Sequence, residues 1–458
     1  MYPHSMMKKI FALSTMAAMF SVAGMLEAQA ITVGPSAPQA SPEGITIKVI
    51  RIGRGVNPPG SNSNQPRDRI VFADIEGNVL YASPEDATPG ISSCTDDCAK
   101  TWVPLLAEDN AKPVGLWSLI ARGDGTRQWA FRDKPMYRYA DEMEQPKTGS
   151  TSSGDYADLG VEKKKADGDA KLSEEDKVIE EKASARRAPD GNGHDVDGRY
   201  VVEIDPSTWI TLPMGITVEE VRAAPGHVLA TTAGRSLYFY SGDVGSVPQN
   251  GDWSPVEAGQ AMLPVGEFTI MKRADGIYQW AFQDKPLYTY RDDREYGDAN
   301  GLYASDGTFQ LAYVLRYFMP SEVQVRKSHT YGGLLETADG KTLYARERGN
   351  GGVDAVYRGD RGRITIGQSL GTKTCDAACE KTWKPLLASM DAKPTGYWGV
   401  YDRADGTKQW SYYGYALYTY EGDKDMGSVE VYDDIDHFEV AGGTPNEGIP
   451  LHWRVAPP

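Results

Sequence analysis

Four cysteines and six histidines in 458 residues leave little material for metal or redox chemistry. Covalent haem attachment needs a histidine directly after the second cysteine of a pair. Ala99 and Glu380 stand there instead, which excludes it. No histidine recurs at an equivalent place along the chain, so neither a metal nor another cofactor is expected. Positive charge is also short: 48 lysines and arginines face 64 acids, a net charge of −16. A chain this acidic repels phosphate backbones, and nucleic acid is not an expected partner. Beyond Leu26 no run approaches the ~18 apolar residues that span a bilayer, so no membrane span is expected. Phenylalanine (10) is outnumbered by tyrosine (26), and glycine (49) and proline (28) are plentiful. That balance favours short strands and turns over long helices.

The first thirty residues carry one signal of their own. Lys8 and Lys9 precede an apolar run from Ile10 to Leu26, and Ala28-Gln29-Ala30 offers small residues for cleavage. This pattern predicts a secretory signal peptide over 1–30, with Met7 as a start, and a linker over 31–41. No cysteine stands at the cleavage point, so a lipid anchor is not indicated. The expected product is soluble, periplasmic or extracellular, and exposed to an oxidising compartment.

The rest of the chain repeats. GDGTRQWAFRDKPMYRY from Gly123, ADGIYQWAFQDKPLYTY from Ala274 and ADGTKQWSYYGYALYTY from Ala404 align without a gap. Upstream, Trp102, Trp253 and Trp383 each open a Trp-x-Pro. Each lies 27 residues before the Gln-Trp tryptophan, Trp129, Trp280 or Trp410. These six tryptophans are the expected module core. Three modules follow, at 42–212, 213–319 and 320–458, each within the size of a small domain. Alternating aromatic runs broken by Asp-Gly pairs predict β-hairpins, with GLLETADGKTLYAR as one of them. Each module also divides into two halves, each with a Leu-Tyr strand after a turn. The expected fold is therefore mainly β: three tandem antiparallel modules of two half-repeats. A six-bladed propeller-like closure is the alternative. A charged insertion over 146–198 interrupts the first module. Its segment Lys165 to Asp176 has the outline of a calcium loop, but a lysine holds the first ligand position and Ala170 the turn glycine.

These elements together resemble the secreted-repeat family, whose members include lipoproteins with a Tyr-x-(Phe/Trp/Tyr)-x-x-Asp motif. The motif is complete at Tyr238-Tyr240-Asp243, Tyr288-Tyr290-Asp293 and Tyr418-Tyr420-Asp423, and Tyr137-Tyr139-Glu142 keeps the acid type. The first halves of modules one and three depart from it: Tyr81 is followed by Ser83 and Asp86, Tyr344 by Arg346 and Gly349. The resemblance implies an envelope or extracellular protein and no particular reaction.

Chemistry in such a chain rests on few residues. Cys94–Cys98 and Cys375–Cys379 are each spaced Cys-x-x-x-Cys. In one helical turn that spacing puts the Cα atoms ~6 Å apart, within reach of a disulfide. The second module has Gly245 and Gln249 at those places, so its fold forgoes the bridge. The competing reading makes the pairs an envelope redox or copper-handling site. Ser369 in GQSLG formally matches a hydrolase elbow, with His437 and His452 downstream, but a β setting does not suit it. The acids Asp243, Asp293 and Asp423 either cap the turn after their strand or bind a ligand. The expected role is non-catalytic: binding or scaffolding for an envelope protein or a small ligand.

Overall fold

A computed structural model describes residues 37–52, 67–143, 191–221, 225–242, 251–294, 296–304, 307–328, 332–348, 375, 377, 379–425, 428–429 and 451–456. The protein is mainly β, in several small antiparallel sheets, and among the described residues no sheet closes into a barrel.

One four-strand arrangement occurs three times. Its order is Trp-x-Pro strand, second Leu-Tyr strand, first Leu-Tyr strand, closing strand. In the first repeat these are Trp102–Pro104, Tyr137–Tyr139, Tyr81–Ala82 and Tyr200–Val201. In the second they are Trp253–Pro255, Lys285–Tyr290, Leu237–Tyr240 and Phe309–Leu311. In the third they are Trp383–Pro385, Tyr415–Tyr420, Leu343–Arg348 and Leu451–Val455. The register agrees residue by residue. Tyr81 faces Tyr137, Tyr238 faces Tyr288, and Tyr344 faces Tyr418. Trp102, Trp253 and Trp383 face Tyr139, Tyr290 and Tyr420. A one-residue slip would turn every ring to the opposite face, which is why the sequence spacing is so constant.

A hairpin stands beside each sheet, with Trp129, Trp280 or Trp410 on its second strand. The glutamine before each of these tryptophans is buried. Gln128, Gln279 and Gln409 donate from Nε2 to the carbonyls of Met136, Leu287 and Leu417, each at 2.8 Å. A buried amide without such partners would be costly. The recurring Gln-Trp therefore couples a core ring to a polar tie between hairpin and sheet.

The turn after this hairpin has two residues with positive φ in every copy: Arg132-Asp133, Gln283-Asp284 and Tyr413-Gly414. Such turns match strand twist but suit Asn-Gly, and ordinary side chains there cost about 1–2 kcal/mol each. Replacing Gln283-Asp284 by Asn-Gly should raise stability by about 1 kcal/mol, read as a higher denaturant midpoint at unchanged slope.

GLLETADGKTLYAR is not an extended hairpin. Its two runs share a tight turn, with Thr337 N–H bonded to the Lys341 carbonyl, and a single bridge from Glu336 to Thr342. Gly332–Thr337 then pairs with Val323–Ser328, while Leu343–Arg348 joins the aromatic sheet. The backbone of Ala456 separates them, accepting from Leu335 N–H and donating to the Leu343 carbonyl. Val202 and Ala312 occupy the same place in the other copies, bonded to Phe72 and Leu80 and to Leu229 and Leu237.

Hydrophobic packing does not stop at the repeats. One cluster joins Ile45, Ile47, Phe72 and Trp117 to Leu335, Leu343, Trp398 and Leu417. Backbone bonds cross the same junction, Ile47 N–H to the Gly396 carbonyl at 2.8 Å and Gly396 N–H to the Ile45 carbonyl at 2.9 Å. Residues 37–41 are built into this body. Ala40 N–H donates to the Arg316 carbonyl at 2.7 Å, and the Ala40 carbonyl accepts from Trp117 Nε1 at 2.8 Å.

Candidate functional site

The motif tyrosines and acids meet across the pairing of the two Leu-Tyr strands. The hydroxyl of Tyr238 donates to Asp293 Oδ2 at 2.6 Å. Tyr344 donates to Asp423 Oδ2 at 2.9 Å, and Tyr81 to Glu142 Oε1 at 2.6 Å. The acid that follows the second half thus accepts from the tyrosine of the first half. In the first repeat the exchange is reciprocal, because Tyr137 of the second half donates to Asp86 Oδ2 at 2.9 Å. Asp86 stands five residues after Tyr81, the spacing that separates each motif tyrosine from its acid. Asp86 also accepts from the backbone and hydroxyl of Ser93. Asp243, its counterpart in the second repeat, lies outside the described residues.

For Asp293, Tyr137, Tyr238 and Tyr344 burial is the first cause of a shifted ionisation. Asp293 is fully enclosed and its pKa rises to about 6, mainly because desolvation disfavours the carboxylate. The bonds from Tyr238 and from the Asn300 N–H at 2.7 Å oppose that rise. Tyr137 is pushed up to about 12, first by burial. The hydroxyls of Tyr238 and Tyr344 also lie above the ordinary tyrosine range, by burial and then by the neighbouring acid. A backbone donor completes two sites: Gly193 N–H reaches the Tyr81 hydroxyl and Gly301 N–H the Tyr238 hydroxyl, both at 3.2 Å. Side chains are excluded there. A Cβ on Gly301 would lie 2.7 Å from Tyr238 and 2.8 Å from Trp253. Gly193 matches it in the first repeat, where the charged insertion separates it from Glu142.

The Trp-x-Pro tryptophans wall these sites. Trp102, Trp253 and Trp383 meet Tyr81, Tyr238 and Tyr344 edge-on at 5.4, 5.1 and 5.4 Å. They meet Tyr139, Tyr290 and Tyr420 at 4.8 Å in each case. A residue of the closing strand, or just before it, covers the other side. Phe309 stacks on Trp253 at 3.6 Å and Trp453 on Trp383 at 3.7 Å. In the first repeat Arg199 takes this place, its guanidinium 4.8 Å from the Trp102 ring.

Both cysteine pairs are disulfides, Cys94–Cys98 and Cys375–Cys379, with Cα separations of 5.3 and 5.2 Å. Neither lies within one helical turn. Cys94 and Cys375 sit in the preceding loop, and the bridge spans the turn that leads into the short helix. The bridges flank the tryptophan boxes, near Trp102 and Trp383. Among the described residues no group of three or more histidine, cysteine, aspartate or glutamate side chains gathers to hold a metal.

The remaining sequence candidates fall elsewhere. Ser369, His437, Gly245, Gln249 and the segment Lys165 to Asp176 lie outside the described residues, and so does 1–36. Trp129, Trp280 and Trp410 are buried behind the hairpins, apart from the tyrosine–acid sites. Two groupings were not foreseen from sequence. Arg199 is a lone cation in a sequence position that aromatic residues hold twice, a signal legible once the closing strands are aligned. The second is His227 with Tyr317, whose Nδ1 and hydroxyl lie 3.0 Å apart in a buried junction. No periodicity marks it.

The architecture is that of a β-rich repeat protein whose shared motif forms internal cross-links. Residues 269–302 and 399–430 match the model of a family described as a secreted repeat of unknown function. The equivalent stretch of the first repeat is split by its insertion. No curated protein and no solved structure matches the chain. Among the described residues no helix is long and apolar enough to cross a membrane.

Proposed function

We propose that the protein is an exported, non-catalytic binding or scaffold protein of the cell envelope, built of three modules with the boundaries given above. Export is supported by the N-terminal sequence pattern and by the two secreted-repeat matches. One observation carries the binding role. The recurring polar side chains are spent on internal bonds, while one loop of each repeat turns large apolar side chains outward. It is the segment between the Trp-x-Pro strand and the hairpin, which in the third repeat includes the short strand Leu387–Ala388. Leu106 is 50% exposed, Leu263 79%, Leu387 50% and Met390 66%. The first and third of these loops touch, through an ion pair between Glu108 and Lys393. Apolar groups held at a polar rim suit a protein partner better than solvent.

The test places a photo-crosslinking residue at position 106, 263 or 387 and irradiates envelope fractions of cells expressing the full chain. A discrete adduct at these sites, lost when the other two leucines become aspartate, is the expected result. Melting should shift little, since exposed substitutions cost about 0.5 kcal/mol or less. Adducts that are absent, or that persist unchanged in the aspartate variants, would remove this reading.

A further inference from the structure

The two disulfides have different surroundings, and the difference points to chemistry at one of them. Cys94 is buried, whereas Cys98 is partly exposed, so Cys98 is the member of the pair nearer solvent. Arg199 is 3% exposed and places Nη2 3.2 Å from the Cys98 sulfur. Its Nε has no hydrogen-bond partner among the described residues, and the exposed Glu85 carboxylate lies 3.7 Å from Nη2. A buried guanidinium is expensive when its neighbour is a neutral sulfur. Its acidic neighbour Glu85 is exposed and screened by solvent, and a thiolate at Cys98 would add a closer, partly buried charge partner. At the same structural place the second and third repeats carry Phe309 and Trp453, which cap the tryptophan equally well without charge. Packing alone therefore does not call for arginine.

We propose that Cys94–Cys98 is a thiol–disulfide exchange site, with Arg199 as the positioning residue that holds the Cys98 sulfur as a thiolate when the pair is reduced. Its reaction partner is a protein or small-molecule disulfide. The Cys98 thiolate attacks one sulfur of that disulfide, forming a mixed disulfide and releasing the other partner sulfur as a thiolate. Cys94 then loses its proton to solvent and attacks the Cys98 sulfur. The Cys94–Cys98 bond re-forms and the second partner thiolate leaves. Two electrons pass from the dithiol to the partner, and a partner dithiol drives the same steps in reverse. A cation beside the nucleophile raises its thiolate fraction at neutral pH. Stabilising the reduced form also makes the disulfide a stronger oxidant.

The test uses the full chain equilibrated in glutathione buffers of graded ratio, acid-quenched, alkylated and read pair by pair by mass spectrometry. Arg199→Trp is the informative variant, because it installs the cap that the third repeat already uses. It should shift the Cys94–Cys98 equilibrium toward the disulfide by tenfold or more, about 30 mV. It should also raise the pH midpoint of Cys98 alkylation in the reduced protein. Cys375–Cys379 serves as the internal control and should not respond. Arg199→Lys should retain part of both effects, and near-UV circular dichroism reports whether each variant keeps its packing. Unchanged equilibrium and unchanged alkylation midpoint in a folded Arg199→Trp protein would overturn the proposal. So would a wild-type pair that stays oxidised at every glutathione ratio where the protein is native.

Discussion

Trp383→Ala should destabilise the protein by about 4 kcal/mol, more than removal of either disulfide. The tryptophan is 1% exposed and lies against Trp453 at 3.7 Å, Tyr420 at 4.8 Å and Tyr344 at 5.4 Å. Truncating a ring so enclosed loses its transfer free energy and leaves a cavity, which for Trp→Ala costs about 3–5 kcal/mol. The loss extends to the cross-link, because Tyr344 is held edge-on by this ring while it donates to Asp423. By contrast, opening Cys375–Cys379 frees a loop with a sequence separation of only 4 residues. The chain-entropy model values such a closure at about 2 kcal/mol. Denaturant titrations of Trp383→Ala and of the double Cys→Ser variant measure both quantities, with a common slope required for comparison. The order matters for function. If the cysteine variant proved the more damaging, the bridge and not the aromatic box would define the module. If Trp383→Ala cost less than about 1 kcal/mol, the box would be a loose pocket and a ligand site, not a core.

Much of this was legible in the sequence because the information is local and repeated. The constant interval from Trp102 to Trp129, Trp253 to Trp280 and Trp383 to Trp410 marks one unit, and the structure places each pair on equivalent strands. Period-two alternation in Tyr288-Thr289-Tyr290 likewise gave a strand. What the sequence hides is which strand pairs with which. The Asp-Gly turn at Asp339 reads as the centre of a hairpin, yet its two runs part because Ala456, over a hundred residues later, enters between them. The tyrosine–acid cross-links were hidden for the same reason. Tyr238 and Asp293 are neighbours only through strand pairing, so the acid reads as a turn cap when the chain is taken alone. Asp86 followed the motif spacing, but Ser83 in the aromatic place masked it. Arg199 shows only as one departure from an aromatic position once the closing strands are aligned, and His227, a lone histidine in an apolar strand, has no period to detect.

Two buried groups with opposite acid responses give the last expected result. His227 is held near pKa 4 by burial, although Asp205 acts against the shift, and Glu220 faces it from the neighbouring strand. Its imidazole meets the Tyr317 hydroxyl, and Tyr317 packs edge-on against Tyr397 at 5.0 Å. Unfolding restores the histidine to about 6.5. The folded state therefore loses stability as pH falls from about 6.5 to 4, by about 3 kcal/mol in all. Asp293 runs the other way. Its pKa of about 6 in the fold exceeds the unfolded value of 3.8, so its contribution is full below pH 3.8 and is lost as pH rises through 6. That change is also about 3 kcal/mol. Between pH 4 and 6 the two nearly offset, and the wild-type curve should carry little net slope from either. Single variants separate them. Asp293→Asn should become acid-labile relative to wild type, the gap widening by about 3 kcal/mol from pH 6.5 to 4. His227→Gln should instead gain stability relative to wild type over the same window. The measurement is the unfolding free energy by denaturant at half-unit pH steps, taken as differences from wild type, so that a constant offset from the substitution drops out. A flat difference curve for Asp293→Asn would mean that the Asp293 carboxyl is not held protonated by its burial in the fold. A flat curve for His227→Gln would mean that the imidazole is not held neutral at its junction with Tyr317.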